Sequence, residues 1–252
     1  MKRKSEKILN LILPIVTVMA ILLLWAVASK SIENQYILPS VTSTATEFLA
    51  LLKSAEFYNA FFSTLSRSLI SFLLSFILAF LLAVLSVKNK ALKSVIAPII
   101  SITRALPTIA VVLLLLFWTN SKIAPIIVTM LVVLPTTYTH IESAFFALDK
   151  TVSESGRVDG ADEKQVLCLI ELPQISPSVL NAIGGGISLN FKLMVAAEVI
   201  SQTANSIGYM LNTSKVYFEI ASMLAIVCFA VIFGVIIEWI FGYLSKKSGS
   251  WK

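Results

Sequence analysis

The stretch ESGRVDGADEKQVLCLIELP, Glu154 to Pro173, is the longest polar interruption in the C-terminal half of a very apolar chain. The 252 residues are 57% hydrophobic and only 13% charged, with a mean hydropathy of +0.88. Soluble domains carry about 25% charged residues, so the solvent for most of this chain is lipid. Several segments reach the ~20 apolar residues needed to cross a bilayer. Alternating ten-residue strands, the mark of a membrane barrel, are absent from the sequence. The expected class is an all-α integral membrane protein, folded as one domain over 1–252, with a polar insert at about 148–177.

Working outward from the insert, six spans are expected at Ile8–Ala28, Leu65–Val87, Val95–Trp118, Ile123–His140, Val179–Ser201 and Ile220–Leu244. The positive-inside rule orients them. With the N-terminus inside, thirteen of the twenty Lys and Arg face the cytoplasm: Lys2, Arg3, Lys4, Lys7, Lys88, Lys90, Lys93, Lys150, Arg157, Lys164, Lys246, Lys247 and Lys252. Five fall outside (Lys30, Lys53, Arg67, Lys122, Lys215), and Arg104 and Lys192 lie within spans. Both termini and the insert are therefore expected in the cytoplasm. Lys2-Arg3-Lys4 before an apolar run and Ala26-Val27-Ala28 also resembles a secretory leader. The run is longer than the usual 7–15 residues of a leader, which favours a retained first span. Outside, Thr44 to Leu52 fits a short interfacial helix, and the loop Gln202 to Glu219 is polar enough to meet a soluble protein. Cys168 and Cys228 fall in different settings, so no disulfide is expected.

Capping chemistry divides the insert into two short helices. Thr151-Val152-Ser153-Glu154 fits a capping box, and Gly160 suits the left-handed conformation that closes a helix. Asp162 caps the second helix with Gln165 at its third position. Pro173 ends it at Leu172, since proline neither donates to the helix nor permits helical geometry just before itself. Val166, Leu169 and Ile170 would then share one face. A first helix this short needs a docking surface. Two surfaces fit: a cytoplasmic partner that receives the hairpin as a knob, or the chain's own membrane domain.

Glu154-x5-Gly160-x9-Ile170-x-Leu172-Pro173 resembles the EAA motif of ATP-binding-cassette importer permeases. Ser155-Gly156 replaces the two alanines usual there, and Gly156 is expected to weaken the first helix by about 1 kcal/mol. Ile37-Leu38-Pro39-Ser40, the run Ser63 to Phe72, Arg104-Ala105-Leu106-Pro107 and Ala197-Glu198 are similar to the nitrate/sulfonate/taurine branch. The resemblance implies a type I importer fold of six transmembrane helices with a cytoplasmic coupling helix-turn-helix, in the bacterial inner membrane. It also implies two permease copies in a homodimer, two copies of a cytoplasmic ATPase and an extracytoplasmic substrate-binding protein, with no nucleic acid partner. Glu154, Ser155, Gly156, Asp159, Gly160, Ala161, Ile170, Leu172 and Pro173 would couple to the ATPase. The chain has no G-x-x-x-x-G-K-[ST] sequence, so ATP is expected to be used by the partner and no cofactor bound here.

Ionisable groups at membrane depth are costly and raise a functional question. Arg104 lies eleven residues past Lys93, ~16 Å along a helix, at mid-membrane. It either attracts an anion in the pathway or holds the helix broken by Pro107, bonding carbonyls that the proline frees. Lys192 and Glu198 point to different sides of span five. Lys192 lines the pathway or bonds a neighbour; Glu198, near the outer end, is placed for a gate or a contact to the binding protein. Gly184-Gly185-Gly186 serves close packing or a hinge. A secondary transporter would want paired intramembrane carboxylates and related halves, and a hydrolase a motif such as G-x-S-x-G. The sequence shows none of these. The expected cargo is a small organic anion or related nutrient, sulfonate-, taurine- or nitrate-like or resembling a thiamine precursor.

Overall fold

The computed structural model describes residues 2–248, with side chains described for 13–149 and 151–248. The side chains of Lys2, Arg3, Lys4, Lys7, Lys150 and Lys252, used in the charge count, lie outside the described residues. The elements are α1 (Lys2–Ile32), α2 (Val41–Leu51), α3 (Ala55–Lys88), α4 (Lys90–Ala105), α5 (Thr108–Trp118), α6 (Ala124–Phe146), α7 (Lys150–Val158), α8 (Glu163–Gln165), a π-helical segment (Val166–Glu171), α9 (Leu172–Ser201), α10 (Ile207–Val216) and α11 (Ile220–Ser248). Among the described residues five helices are long and apolar enough to span a membrane, and α4 with α5, taken as one bent span, gives six. The third span is therefore not the straight helix expected over Val95–Trp118: α4 and α5 meet at 93°. Pro107 is the cause. It excludes helical geometry at the residue before it, and Leu106 is extended at φ −64°, ψ 126°.

The chain packs as two units, Met1–Tyr58 with Met210–Phe229 and Asn59–Tyr209 with Ala230–Lys252. In the first, the Trp25 Nε1–H donates to the Pro39 carbonyl (3.0 Å) and the Ser29 hydroxyl to Leu38 (3.1 Å), strapping the connection to α1. Helix α2 begins three residues before the expected Thr44, because Ser40 caps it by accepting the Ser43 N–H at 3.0 Å. Thr44 and Leu51 are its buried residues. Phe57 and Phe229 meet edge-to-face at 4.7 Å.

The second unit is organised by a face of α3 built from small residues. Thr64, Ser68, Ser71, Ser75, Ala79, Ala83 and Ser86 recur every three or four positions and all are buried. Such residues let helices approach closely where no water drives them together. Asn190 of α9 takes advantage of this closeness: its Nδ2 donates to the Ser68 carbonyl at 2.6 Å. The Ser71 and Thr129 hydroxyls lie 2.6 Å apart, joining α3 to α6. Ala79, Ala83, Ile96, Ile100, Tyr138, Ile141 and Ile175 form an apolar core from α3, α4, α6 and α9, with Leu167 and Leu172 packed against it. Gly184 and Gly186 serve packing, against Phe241 and Phe72 respectively, and α9 runs unbroken through them.

Beyond α9 the chain folds back so closely that Gly208 lies on the α9 backbone. A Cβ there would stand 2.7 Å from the Val199 nitrogen and 2.8 Å from the Glu198 carbonyl carbon. Main-chain atoms cannot give way as a side-chain tip can, and overpacking of this kind costs about 1–3 kcal/mol. Gly208→Ala is therefore expected to lower the thermal midpoint of the detergent-extracted protein by several degrees. An unchanged midpoint would mean that the turn is looser than described.

Candidate functional site

The polar insert is two helices, as expected, with different boundaries. Helix α7 starts earlier than the Thr151 cap, because Asp149 caps it, its carboxylate accepting the Thr151 N–H at 3.0 Å. Glu154 is thereby left out of any capping box and is exposed. The helix closes with Asp159 at its C-cap and Gly160 at φ +92°. The Ala161 N–H bonds Gly156 O (3.0 Å) and the Gly160 N–H bonds Arg157 O (3.1 Å), the paired bonds of a Schellman turn. Asp162 and Gln165 then form the expected capping box: the Gln165 N–H donates to Asp162 Oδ1 and Gln165 Oε1 accepts the Asp162 N–H. Arg157 bridges the turn, its Nε donating to Glu163 Oε1 at 2.7 Å. This bond holds the Glu163 carboxyl below the usual carboxylate range.

Pro173 does not stop the second helix at Leu172. The backbone widens into the π-helical turn Val166–Glu171, in which the Leu172 N–H reaches Leu167 O, and then continues directly into α9. A π-turn carries more residues per revolution than an α-turn, so the i, i+3, i+4 face does not persist. Val166 is buried and Ile170 partly so, but Leu169 is 72% exposed. Gly156 sits where an alanine methyl would overlap Ile170 Cδ1. The glycine that weakens α7 in isolation is thus what lets the tip of Ile170 fit against it. Ser155, Asp159 and Pro173 are exposed, while Ala161 and Leu172 are partly buried. Val158, at 86% exposure, and Leu169 leave the hairpin with apolar side chains that its own fold does not cover.

Helix α9 is walled on three sides. Toward α11, Ser188 and Lys192 lie over Gly234. Toward α3 stand Asn190 and Glu198. Toward α6, Ile187 packs with Val133 and Ala197 with Val128. The remaining side exposes Ser178, Asn181 and Gly185 toward one end and Lys192 and Ala196 toward the other, a stripe interrupted at the buried Ser188, where α11 closes over α9 at Gly234. At the α7 end of this stripe, His140, Ser143, Ser178 and Asn181 line a groove of about 410 Å³. On α11 the exposed residues include Val231, Val235, Ile236, Trp239 and Ile240, a surface suited to lipid. The α9 stripe is not.

Glu198 is not at a surface. It is fully buried, and Arg67 holds it through Nη2 at 2.7 Å and Nε at 2.9 Å. The Thr64 hydroxyl donates to its Oε2 at 2.8 Å and accepts the Ile207 N–H at 3.0 Å. The Gly208 N–H also points at Oε2, at 3.3 Å. Arg67, expected among the outside charges, is thus a partner inside the bundle, and neither residue is exposed enough to meet a soluble protein. Arg104 does bond a helix near a proline, but not the proline expected: its Nη2 donates to Thr139 Oγ1 (2.7 Å) on α6, rather than to a carbonyl freed by Pro107. Lys192 lies 3.7 Å from Glu238 of α11. Glu142 is likewise engaged, by Lys93 at 3.2 Å and by the Tyr138 hydroxyl at 2.8 Å.

Residues 71–249, which hold the second half of α3 and all of α4 to α11, match the family described as binding-protein-dependent transport system inner membrane component. The chain belongs to this family. It is a permease subunit of an ATP-binding-cassette importer, an integral membrane protein rather than the ATP hydrolase. A riboflavin transport system permease of Chloroflexus aurantiacus is 29% identical over 210 residues, covering 81% of this permease and 76% of that protein. The taurine transport system permease of Escherichia coli is 21% identical over 90% of this chain and 84% of its own length. Among solved structures, an amino acid ABC transporter superposes with TM-score 0.66 at 16% identity, covering 79% of this chain and 98% of that one. A bacterial alginate ABC transporter in complex with an alginate-bound periplasmic protein gives 0.62 at 16% identity, over 96% and 93%. The type I importer fold expected from the sequence is therefore the fold observed.

The Arg67–Glu198 pair invites a direct test. Removing one partner of a buried pair strands the other charge, at about 3–5 kcal/mol, while replacing both by apolar groups is far less costly. Arg67→Met is expected to destabilise the permease severely, and Arg67→Met with Glu198→Met to recover much of the loss, read as thermal midpoints in detergent. A double variant no better than the single one would show that hydrogen bonding, not the charge pair, governs the site.

Proposed function

We propose that two copies of this chain form the translocation pathway of an importer for a small organic anion or a related nutrient. The resemblance favours cargo that is sulfonate-, taurine- or nitrate-like, or akin to a thiamine precursor; of the relatives, one is named for taurine and one for riboflavin. The observation that carries the reading is continuity. The hairpin closed at Gly160 runs through α8 and the π-turn into α9 without a break in the helix, and α9 is the helix whose open side is polar. A partner that moves the hairpin therefore moves the wall of the pathway.

In this reading, Glu154, Ser155, Gly156, Asp159, Gly160, Ala161, Ile170, Leu172 and Pro173 form the segment that a cytoplasmic ATPase grips. Val158 and Leu169 supply the apolar contact. Two ATPase copies serve a permease homodimer, and ATP is bound and used by them alone. An extracytoplasmic binding protein delivers cargo to the opposite side. The charge count supports a bacterial cytoplasmic membrane with both termini on the ATPase side, and the whole chain acts as one permease domain.

Two substitutions test the coupling. Gly160→Asp forces a side chain into a left-handed position that costs roughly 1 kcal/mol or more, and Val158→Asp places a charge on an exposed methyl surface at little cost to the chain itself. Each is expected to reduce ATPase co-purification at least tenfold while membrane insertion is retained. Normal transport by both variants would sink the assignment.

A further inference from the structure

The open stripe of α9 holds one cation, Lys192, whose ammonium stands 3.7 Å from Glu238 Oε1. This pair differs from the other intramembrane pair in every respect. Arg67 and Glu198 meet at 2.7 Å with exposures of 12% and 0%, whereas Lys192 and Glu238 are 47% and 51% exposed. Glu198 has further donors from Thr64 and Gly208; the 3.7 Å contact is too long for a hydrogen bond, and neither Lys192 nor Glu238 has a side-chain hydrogen bond among the described residues. A sealed pair held by several further donors is a fixture of the fold. A loose, open pair is a poor fixture, since exposed pairs contribute little to stability.

Its position is nevertheless specified. A Cβ at Gly234 would stand 2.9 Å from Lys192 Cε and 2.8 Å from Ser188 Oγ. The bare backbone of α11 thus makes the notch in which the lysine stem lies, and the ammonium emerges at the edge of the stripe. Half-exposed charges at membrane depth need water or protein beside them, not hydrocarbon. A lone cation on such a wall would attract anions and also retain them, while passage requires binding weak enough to leave.

We propose that Lys192 and Glu238 are a tempered anion site in the pathway wall. Lys192 draws the carboxylate, sulfonate or phosphate group of the cargo along the open face, and Glu238 competes for the ammonium so that the anion is released. The proposal rests on the reading of that face as the pathway.

The test uses a cysteine at Ala196, one turn from Lys192 and ~6 Å along the helix, in the assembled importer in membranes, with Cys168 and Cys228 replaced by serine. The rates of its reaction with anionic sulfonatoethyl and cationic trimethylammonioethyl methanethiosulfonate are compared. Both reagents should react. Lys192→Gln should lower the anionic-to-cationic rate ratio about tenfold, Glu238→Gln should raise it comparably, and the double variant should restore it, as Coulomb's law gives for a unit charge at ~6 Å in water. A ratio left unchanged by both variants would mean that the pair's charges do not act on the aqueous path beside Ala196, which overturns the proposal. A ratio that follows Lys192 but not Glu238 overturns the tempering role. Failure of either reagent to reach the cysteine overturns instead the reading of the face as a pathway.

Discussion

A carboxylate carried into the middle of a helix bundle dictates what surrounds it. Glu198 is fully buried, and such a charge persists only if it is paired and its lone pairs are used. Arg67 and Thr64 must therefore lie on the same side of α3, one turn apart. The chain leaving α9 must return at once to bring the Gly208 N–H to the same oxygens, which requires a residue without a side chain. Thr64 closes the arrangement by accepting from Ile207. From this end, the small-residue face of α3 continues the contact inward through Ser68, Ser71 and Ser75 to Ala79 and Ala83. Polar satisfaction at one end and close packing along the rest place α3 against α9.

Prolines show the complementary constraint, that every backbone donor and acceptor in lipid must find a partner. Pro107 and Pro173 have the same chemistry and opposite outcomes. At Pro107 the chain departs from the helix and turns by 93°. At Pro173 the preceding turn widens, Leu172 bonds to Leu167, and the helix survives. The difference lies in packing. Leu167, Leu172 and Ile175 are all held by the core of α3, α4 and α6, so the backbone there adapts its pitch rather than leave. Leu106 is exposed and has no such hold.

What the sequence made legible was local or cumulative. The six apolar crossings, the Asp162–Gln165 box and the Gly160 turn depend on neighbours a few residues away or on a sum over twenty. The misreadings have an equally physical origin. Asp149 took the cap from Thr151 because several polar residues near a helix start compete for the same N–H groups. Leu169 left its expected face because a π-turn changes the period. Glu198 could not be matched to Arg67 because they lie 131 positions apart. One signal was present and went unused: hydroxyl and alanine side chains spaced by threes and fours along α3, ending beside Arg67, mark a buried seam rather than a lipid face.

From Glu163 to Glu198 the chain is one continuous run of helix, about 35 residues and ~52 Å long, with no loop between its ends. One end is pinned by the bonds on Glu198; the other carries the Gly160 turn and, through Leu167, Leu172 and Ile175, the parts of α3, α4 and α6 that pack on it. That is the geometry of a lever with its fulcrum near one tip. A tilt of only ~5° about Glu198 would leave the pinned carboxylate almost stationary, yet sweep the far end of a rod that long by roughly 4–5 Å. Lys192, less than two turns from the fulcrum, would barely shift, while Ser178 and Asn181 would travel several times farther. A rod tilting in this way would carry the core around Ile175 with it and leave the bonds on Glu198 closed.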